Sequence, residues 1–343
     1  MKAVVFKEHG APEVLEYTER PEPSIKANEV LVEVRACALN HLDVWARRGL
    51  PGVEIPLPHI LGNDIAGVVR EVGEVVDWVK AGDEVMLQPG VSCGHCRECL
   101  SGADNMCAQY DILGYRRDGG YAQLVAAPAA NVIPKPERLS WEEAAALPLV
   151  TVTAWHMLVG RASVQPGEDV LIHAAGSGVG SVGIQIAKLR GARVIATAGS
   201  EAKLERAREL GADEVINYTR ADWPKEVRRL TGKKGVEVVF EHTGAETWPG
   251  SILSLAKNGR LVTCGATSGF DASTDLRQVF YRHLSLLGSF MGSKAELLDA
   301  MKFVERGQIR GVVDRTLPLA EARRAHELIE DRAQFGKLVL RID

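Results

Sequence analysis

Val170–Ser200, VLIHAAGSGVGSVGIQIAKLRGARVIATAGS, decides the fold of this chain. It opens with a short apolar run, Val170-Leu171-Ile172, closed by His173 and Ala174, which predicts a buried parallel strand. A turn of small residues follows, Ala175-Gly176-Ser177-Gly178-Val179-Gly180. Apolar residues then recur at helical spacing (Val182, Ile186, Leu189), and Arg193-Val194-Ile195 begins a second β-branched run. Strand, small-residue turn, helix and strand make a dinucleotide-binding βαβ unit. Its glycines let the backbone approach a pyrophosphate, and the helix N-terminus offers free N–H groups and the positive end of its dipole. Two registers compete. Gly178 to Gly183, GVGSVG, fits the GxGxxG pattern, whereas Ala175 to Gly180 leaves the strand directly. The second is preferred, because the tight turn must come straight off the strand end. It assigns cofactor contacts to Gly176, Ser177, Gly178, Val179 and Gly180. An ordinary glycine-rich turn without a ligand is the alternative.

The 343 residues are enough for two domains with a full core in each. A net charge of -4 gives no electrostatic footprint for nucleic acid or an anionic membrane. No apolar run approaches the ~20 residues of a membrane span, and MKAVVFKEHG does not resemble a signal peptide. The expectation is a cytoplasmic protein acting on a small molecule. Of six cysteines, four crowd between Cys93 and Cys107, which in a cytosolic chain favours a metal over disulfides.

Residues 1 to about 90 alternate short β-type runs with turns, among them Ala3–Phe6, Val30–Val34 and Ala66–Val69. Helical periodicity there is confined to Leu42–Arg47. This predicts a small all-β unit with a cysteine-bearing lobe at 91–110. From Ser140 the pattern changes: Ser140-Trp141-Glu142-Glu143 reads as a capping box at a helix start. Strands at 170–174, 193–197, 214–217, 236–240, 260–264 and 284–290 then alternate with helices, which predicts a doubly wound parallel sheet. The tail ends in Lys337-Leu338-Val339-Leu340-Arg341-Ile342, a strand expected to return to the N-terminal β unit. The predicted domains are therefore 1–147 joined with 291–343, and 148–290.

Cys93, Cys96, Cys99 and Cys107 stand at spacings of three, three and eight. Four thiolates with no competing ligand suit a closed, tetrahedral structural zinc site, one ion per chain.

These features together resemble the medium-chain dehydrogenase/reductase superfamily, the zinc alcohol dehydrogenases and their quinone oxidoreductase relatives. The resemblance runs through Gly62-Asn63-Asp64-Ile65-Ala66-Gly67, the cysteine lobe, Leu149–Leu158, the cofactor turn and Phe335–Leu340. It implies a GroES-like all-β catalytic domain beside a Rossmann domain of α/β class, with His41 near the cofactor phosphates and Thr153 among the cofactor residues. The departures matter more. Where zinc alcohol dehydrogenases place a cysteine, a histidine and a further cysteine or acid on a catalytic zinc, this chain has Asn40, Asn63 and Leu149. The proton-relay hydroxyl position holds Leu42. Carboxamides are poor zinc ligands and leucine is none. The run Asn40-His41-Leu42-Asp43-Val44-Trp45 is similar instead to the quinone oxidoreductase branch. His41, His59, Asp43 and Asp64 remain as the members of a possible rebuilt metal site.

Three functions follow as expectations. The first is an NAD(P)H-dependent reductase of quinones or conjugated carbonyls with structural zinc only, in which Asn40 and Trp45 donate hydrogen bonds to substrate oxygen. The second is an alcohol dehydrogenase with a rebuilt metal site, and the third a non-catalytic NADPH-binding protein. NADP is preferred to NAD, because Ala198 stands where an acid would repel a 2′-phosphate. Ser200 and Lys203 are placed to attract one, Lys203 as one member of an ordinary charged helix face being the alternative, and the resemblance to NADPH-using quinone oxidoreductases puts Tyr218 beside the same phosphate. Leu284–Phe290, as the last strand of the sheet, is expected to leave an open edge covered by a second copy in a homodimer or homotetramer.

Overall fold

The computed structural model describes residues 1–343. The chain forms two compact units: Met1–Leu149 with Ser293–Ala295 and Arg310–Asp343, and Val150–Gly292 with Glu296–Ile309. The expected assignment of the whole tail, 291–343, to the first unit is corrected here. The helix Lys294–Glu305 buries Leu297, Ala300, Met301 and Val304, and residues 296–309 group with the second unit. Amphipathic periodicity identifies a helix but not the core it covers.

In the first unit, the main sheet runs Val132–Pro134, Glu84–Leu87, Asp64–Val72, Glu29–Ala38, Lys337–Arg341 and Val313–Pro318, with Leu124–Pro128 also pairing on Glu29–Ala38. The C-terminal strand returns as anticipated: Val339 pairs with Ala38 and Leu340 with Cys37, antiparallel. A smaller sheet joins Glu16–Glu19, Lys2–Phe6 and His59–Ile60. Val4, Phe6, Val32, Leu61, Ile65, Tyr121 and Leu340 share the core between them.

The second unit is a six-stranded, all-parallel sheet in the order Glu214–Asn217, Arg193–Ala198, Asp169–Ile172, Val236–Glu241, Leu255–Thr263 and Ser285–Gly288. The order reverses between Asp169–Ile172 and Val236–Glu241, which is the switch point where doubly wound sheets bind ligands. The strands read as continuous apolar runs because both faces are covered; Val170, Leu171, Ile172, Val238, Val239 and Phe240 are all fully buried. The predicted capping box is present, with Glu143 N donating to Ser140 Oγ at 3.1 Å and Ser140 N to the Glu143 carboxylate at 2.9 Å. One segment, Trp141–Arg161, has the length and hydropathy of a membrane span, but 78% of its window is buried inside the protein. It is a core segment.

Four histidines are buried neutral. Burial depresses His173 to about 4 and His326 to about 3, and lowers His59 and His242 as well. In the unfolded chain each would take a proton near pH 6.5. Their folded values are depressed, so the stability they contribute is intact above pH 6.5 and is lost as the pH falls toward 4 and then 3. The melting temperature should therefore drop steadily on acidification from pH 7 to 4.5. His326→Leu should flatten that slope in a thermal melt series. An unchanged slope would show that His326 takes no part.

Candidate functional site

The strand Glu29–Ala38 ends one residue before Leu39 and Asn40, and the helix His41–Arg48 follows. Asparagine commonly caps a helix with its side chain. Here Asp43 does the local work instead. Its carboxylate accepts from Asn40 N at 2.7 Å and from Gly62 N at 3.0 Å, and burial pushes its pKa up to about 7. Gly62 has φ +106, and a Cβ there would meet Cys37 Sγ at 2.7 Å and the Tyr121 ring at 2.6 Å. Only glycine brings this backbone against Asp43.

The Asn40 side chain is thereby left for another purpose. Its Nδ2 donates to Asp64 Oδ2 at 2.9 Å and lies 3.5 Å from Asn63 Oδ1. Its Oδ1 accepts from Lys337 Nζ at 2.6 Å. The same ammonium donates to Asp64 Oδ2 at 2.7 Å. Asp64 Oδ1 accepts from Leu149 N at 2.7 Å, and Asn63 Nδ2 donates to Leu113 O at 2.7 Å. All the side chains are buried: Asp64 and Asn63 show no exposure, Lys337 3% and Asn40 7%. Sequence reasoning picked out Asn40, Asn63, Asp64 and Leu149, and the fold brings all four together. It missed Lys337, although that residue was quoted as part of the C-terminal strand. The signal was a cation at the start of an apolar run (Leu338, Val339, Leu340) in a strand whose other cation, Arg341, stands exposed at the far end.

These residues do not fit a catalytic zinc. Leu149 offers a backbone N–H, the two asparagines offer carboxamides, and a lysine ammonium already holds Asn40 Oδ1 and Asp64 Oδ2. Nor do His41, His59, Asp43 and Asp64 rebuild a site. Asp43 and Asp64 are spent on N–H donors, and His59 Nδ1 lies 3.5 Å from Asp118. Trp45 is half-buried on the short helix, its ring 6.3 Å from that of His41.

The four lobe cysteines do fit a metal. Their sulfurs all lie within 4.8 Å of one another, with Cys96–Cys99 at 3.4 Å and Cys93–Cys99 at 3.9 Å. Four thiolates about 2.3 Å from a tetrahedral zinc stand about 3.8 Å apart. Backbone N–H groups already point at two of them, Cys96 N at Cys93 Sγ (3.4 Å) and Gln109 N at Cys107 Sγ (3.3 Å). Backbone donation from His95 and then Cys96 brings Cys93 down to about 6, while Cys96, despite backbone donation from Cys99, is pushed up to about 12 by burial and its hydrogen bonds with the other three thiols. No other group of three or more His, Cys, Asp or Glu side chains converges in this way.

In the second unit the turn leaves the strand as the preferred register requires. Ala174 carries φ +44, Ser177 caps the helix Gly178–Leu189, and its Oγ accepts from Gly180 N at 2.8 Å. A Cβ on Gly180 would stand 2.5 Å from Ala174 O, so this glycine lets the helix start close to the strand end. Gly183 lies inside the helix against Phe240, and serves packing. Gly176, Gly178 and Val179 stand partly exposed around the first helical turn, whose N–H groups suit a pyrophosphate. Thr153 lies on the helix Pro148–Trp155 and is 95% buried.

At the end of the second strand, Ala198 is buried and Ser200 caps the helix Glu201–Glu209, accepting from Lys203 N at 3.4 Å. The Tyr218 hydroxyl stands where a Cβ on Gly199 would meet it at 2.7 Å. Ser200, Lys203 and Tyr218 thus gather around one strand end. Glu201, the acid that would oppose a phosphate there, accepts from Asn217 Nδ2 at 2.7 Å and pairs with Arg220 at 3.4 Å.

At the sheet's switch point a second buried network holds the loop after Phe240. The Glu241 carboxylate accepts from Thr243 N, Gly244 N, Thr247 Oγ1 and Ser251 Oγ. His173 bridges Ser251 Oγ at 3.0 Å and Thr197 Oγ1 at 3.1 Å. Ser251 donates to the carboxylate, so it accepts from His173 Nε2–H, and Thr197 donates to Nδ1.

Comparison with known proteins agrees with this architecture. A family described as alcohol dehydrogenase GroES-like domain matches residues 26–137, and one described as zinc-binding dehydrogenase matches 178–306. A crystal structure of an NAD-dependent alcohol dehydrogenase is 54% identical, with TM-score 0.97 over all of both chains. The NAD-dependent alcohol dehydrogenase of Sulfurisphaera tokodaii is 34% identical over 99% of each chain. Quinone oxidoreductase 1 of Escherichia coli is 32% identical over 98% of each. With a parallel Rossmann sheet, a GroES-like β unit and full-length relatives on both branches, this chain belongs to the medium-chain dehydrogenase/reductase superfamily and is an oxidoreductase.

Proposed function

We propose that this protein is a cytoplasmic NADPH-dependent reductase of quinones or conjugated carbonyls, with zinc confined to the cysteine lobe. The observation that carries this reading is the donor set around Asn40, which fits no Lewis-acidic metal. A simple carbonyl needs such an acid, whereas hydride addition to a conjugated acceptor spreads the charge through its π system. The reduced nicotinamide supplies the hydride. The Asn40 amide and the Trp45 indole N–H are assigned as donors to the oxygen that gains charge, and His41 and Thr153 as cofactor contacts. Gly176 to Gly180 receive the pyrophosphate. One observation favours a second reading, NAD-dependent alcohol oxidation: the 54% identical structure carries the name NAD-dependent alcohol dehydrogenase. Turnover of quinones and enals against alcohols, with each cofactor, decides between them. Oxidation of simple alcohols at rates above quinone reduction would overturn the first.

The preference for NADPH rests on Ala198, Ser200, Lys203 and Tyr218, and on the pairing of Glu201 with Asn217 and Arg220. A charge-assisted bond to phosphate is worth about 1.5–3 kcal/mol, so Lys203→Ala should weaken NADPH binding roughly ten- to a hundredfold and leave NADH nearly unchanged. Equal losses for both in a titration of intrinsic fluorescence would refute the assignment.

Cys93, Cys96, Cys99 and Cys107 are assigned one structural zinc. Elemental analysis should give a single tightly held ion per chain, and Cys96→Ser should lower the melting temperature more than it lowers kcat, because a structural site couples metal binding to folding. Two tightly held zincs would contradict it.

A second copy of the chain is proposed to cover the sheet edge. Ser285–Gly288 is an edge strand, and Leu276, Phe280, Tyr281 and Phe290 beside it are 59–74% exposed. Unpaired backbone flanked by apolar side chains suits two-fold pairing. Light scattering at micromolar concentration should give a dimer or tetramer mass, and Leu286→Lys should shift it to monomer.

A further inference from the structure

Lys337 reaches its site because the last strand lies between Glu29–Ala38 and Val313–Pro318. It follows Gly336 (φ +93), where a Cβ would stand 2.2 Å from Val312 O, and its own N–H donates to Val312 O at 2.7 Å. Its ammonium is 3% exposed and faces two acceptors at 2.6 and 2.7 Å. Both neighbours agree on the orientation of the Asn40 amide. An ammonium only donates and a carboxylate only accepts, so Oδ1 faces Lys337 and Nδ2 faces Asp64. The oxygens that the ammonium holds, a carboxylate and a carboxamide, are those that a hard divalent cation would use.

We propose that Lys337 is the site's built-in cation: its ammonium holds Asn40 Oδ1 and Asp64 Oδ2, denies them to a divalent metal, and polarises the Asn40 amide so that its N–H groups become stronger donors. A positive charge on the acceptor oxygen of an amide strengthens donation from its nitrogen, the cooperative effect of linked hydrogen bonds in a low-dielectric setting. Lys337 is thus a positioning residue that acts through Asn40. The polarisation rests on the reading of Asn40 as a donor to substrate oxygen; the denial of metal does not.

Lys337→Ala and Lys337→Met in the full-length protein test this. After exchange into cobalt(II), the wild type should hold cobalt in the cysteine lobe alone; a second bound ion at Asp64 overturns the proposal. Lys337→Ala should lose thermal stability and turnover, and methylammonium should restore both in part. Lys337→Met, whose side chain fills the space without charge, should not respond. Absence of any methylammonium effect on the alanine variant overturns the assignment. If its stability recovers while no conjugated carbonyl is turned over even by the wild type, the built-in cation stands and the proposed reaction falls. Should the single variants fail to fold, Lys337→Met with Asp64→Asn removes both charges together. Its kcat should fall at least about tenfold with NADPH affinity unchanged, and a wild-type kcat in that variant overturns the role.

Discussion

A buried ion pair between Asp64 and Lys337 is the interaction on which the first unit depends. Taking two charges out of water costs several kcal/mol per ion, so the arrangement survives only if every remaining polar atom is satisfied. It nearly is. Asp64 receives Leu149 N, Asn40 Nδ2 and Lys337 Nζ, and the ammonium is shared with Asn40 Oδ1. The partners are 273 residues apart in the chain. The pair therefore forms only when the C-terminal strand has closed onto Glu29–Ala38, and it makes the discontinuous unit a single cooperative object. Breaking one side would leave an uncompensated buried charge, which is far more costly than removing both.

The second unit depends on the close approach of helix to strand. Gly180 lets the helix Gly178–Leu189 begin against Ala174 O, and Gly183 lets it lie on Phe240. The buried Glu241 then ties the loop at the switch point to Ser251, which bonds His173 in turn. Its carboxylate stays ionised although burial opposes it. Hydrogen bonds from the Ser251 hydroxyl, the Thr243 N–H and the Thr247 hydroxyl hold its pKa below the usual range. The switch-point end of the sheet is thus braced by a charge-assisted network.

The two clusters of metal-type residues have parted company in this chain. The lobe holds four sulfurs at tetrahedral spacing, while the Asn40 position holds amides and an internal cation.

The strands and helices of the Rossmann unit were legible in the sequence because local rules set them. Apolar β-branched runs bounded by small residues depend on neighbours within a few positions, as does the Ser140–Glu143 cap in the first unit. The cysteine lobe was legible for the same reason, since its ligands lie within one loop. Asn40, Asn63 and Leu149 could be singled out by resemblance, but what stands among them could not. Lys337 enters from the far end of the chain, and its meaning comes from the pairing of Val339 with Ala38 rather than from any local pattern. The allegiance of residues 296–309 was likewise decided by the core their helix covers. Periodicity along a sequence says which face of an element is apolar; only the tertiary structure says what that face, or a buried charge, will meet.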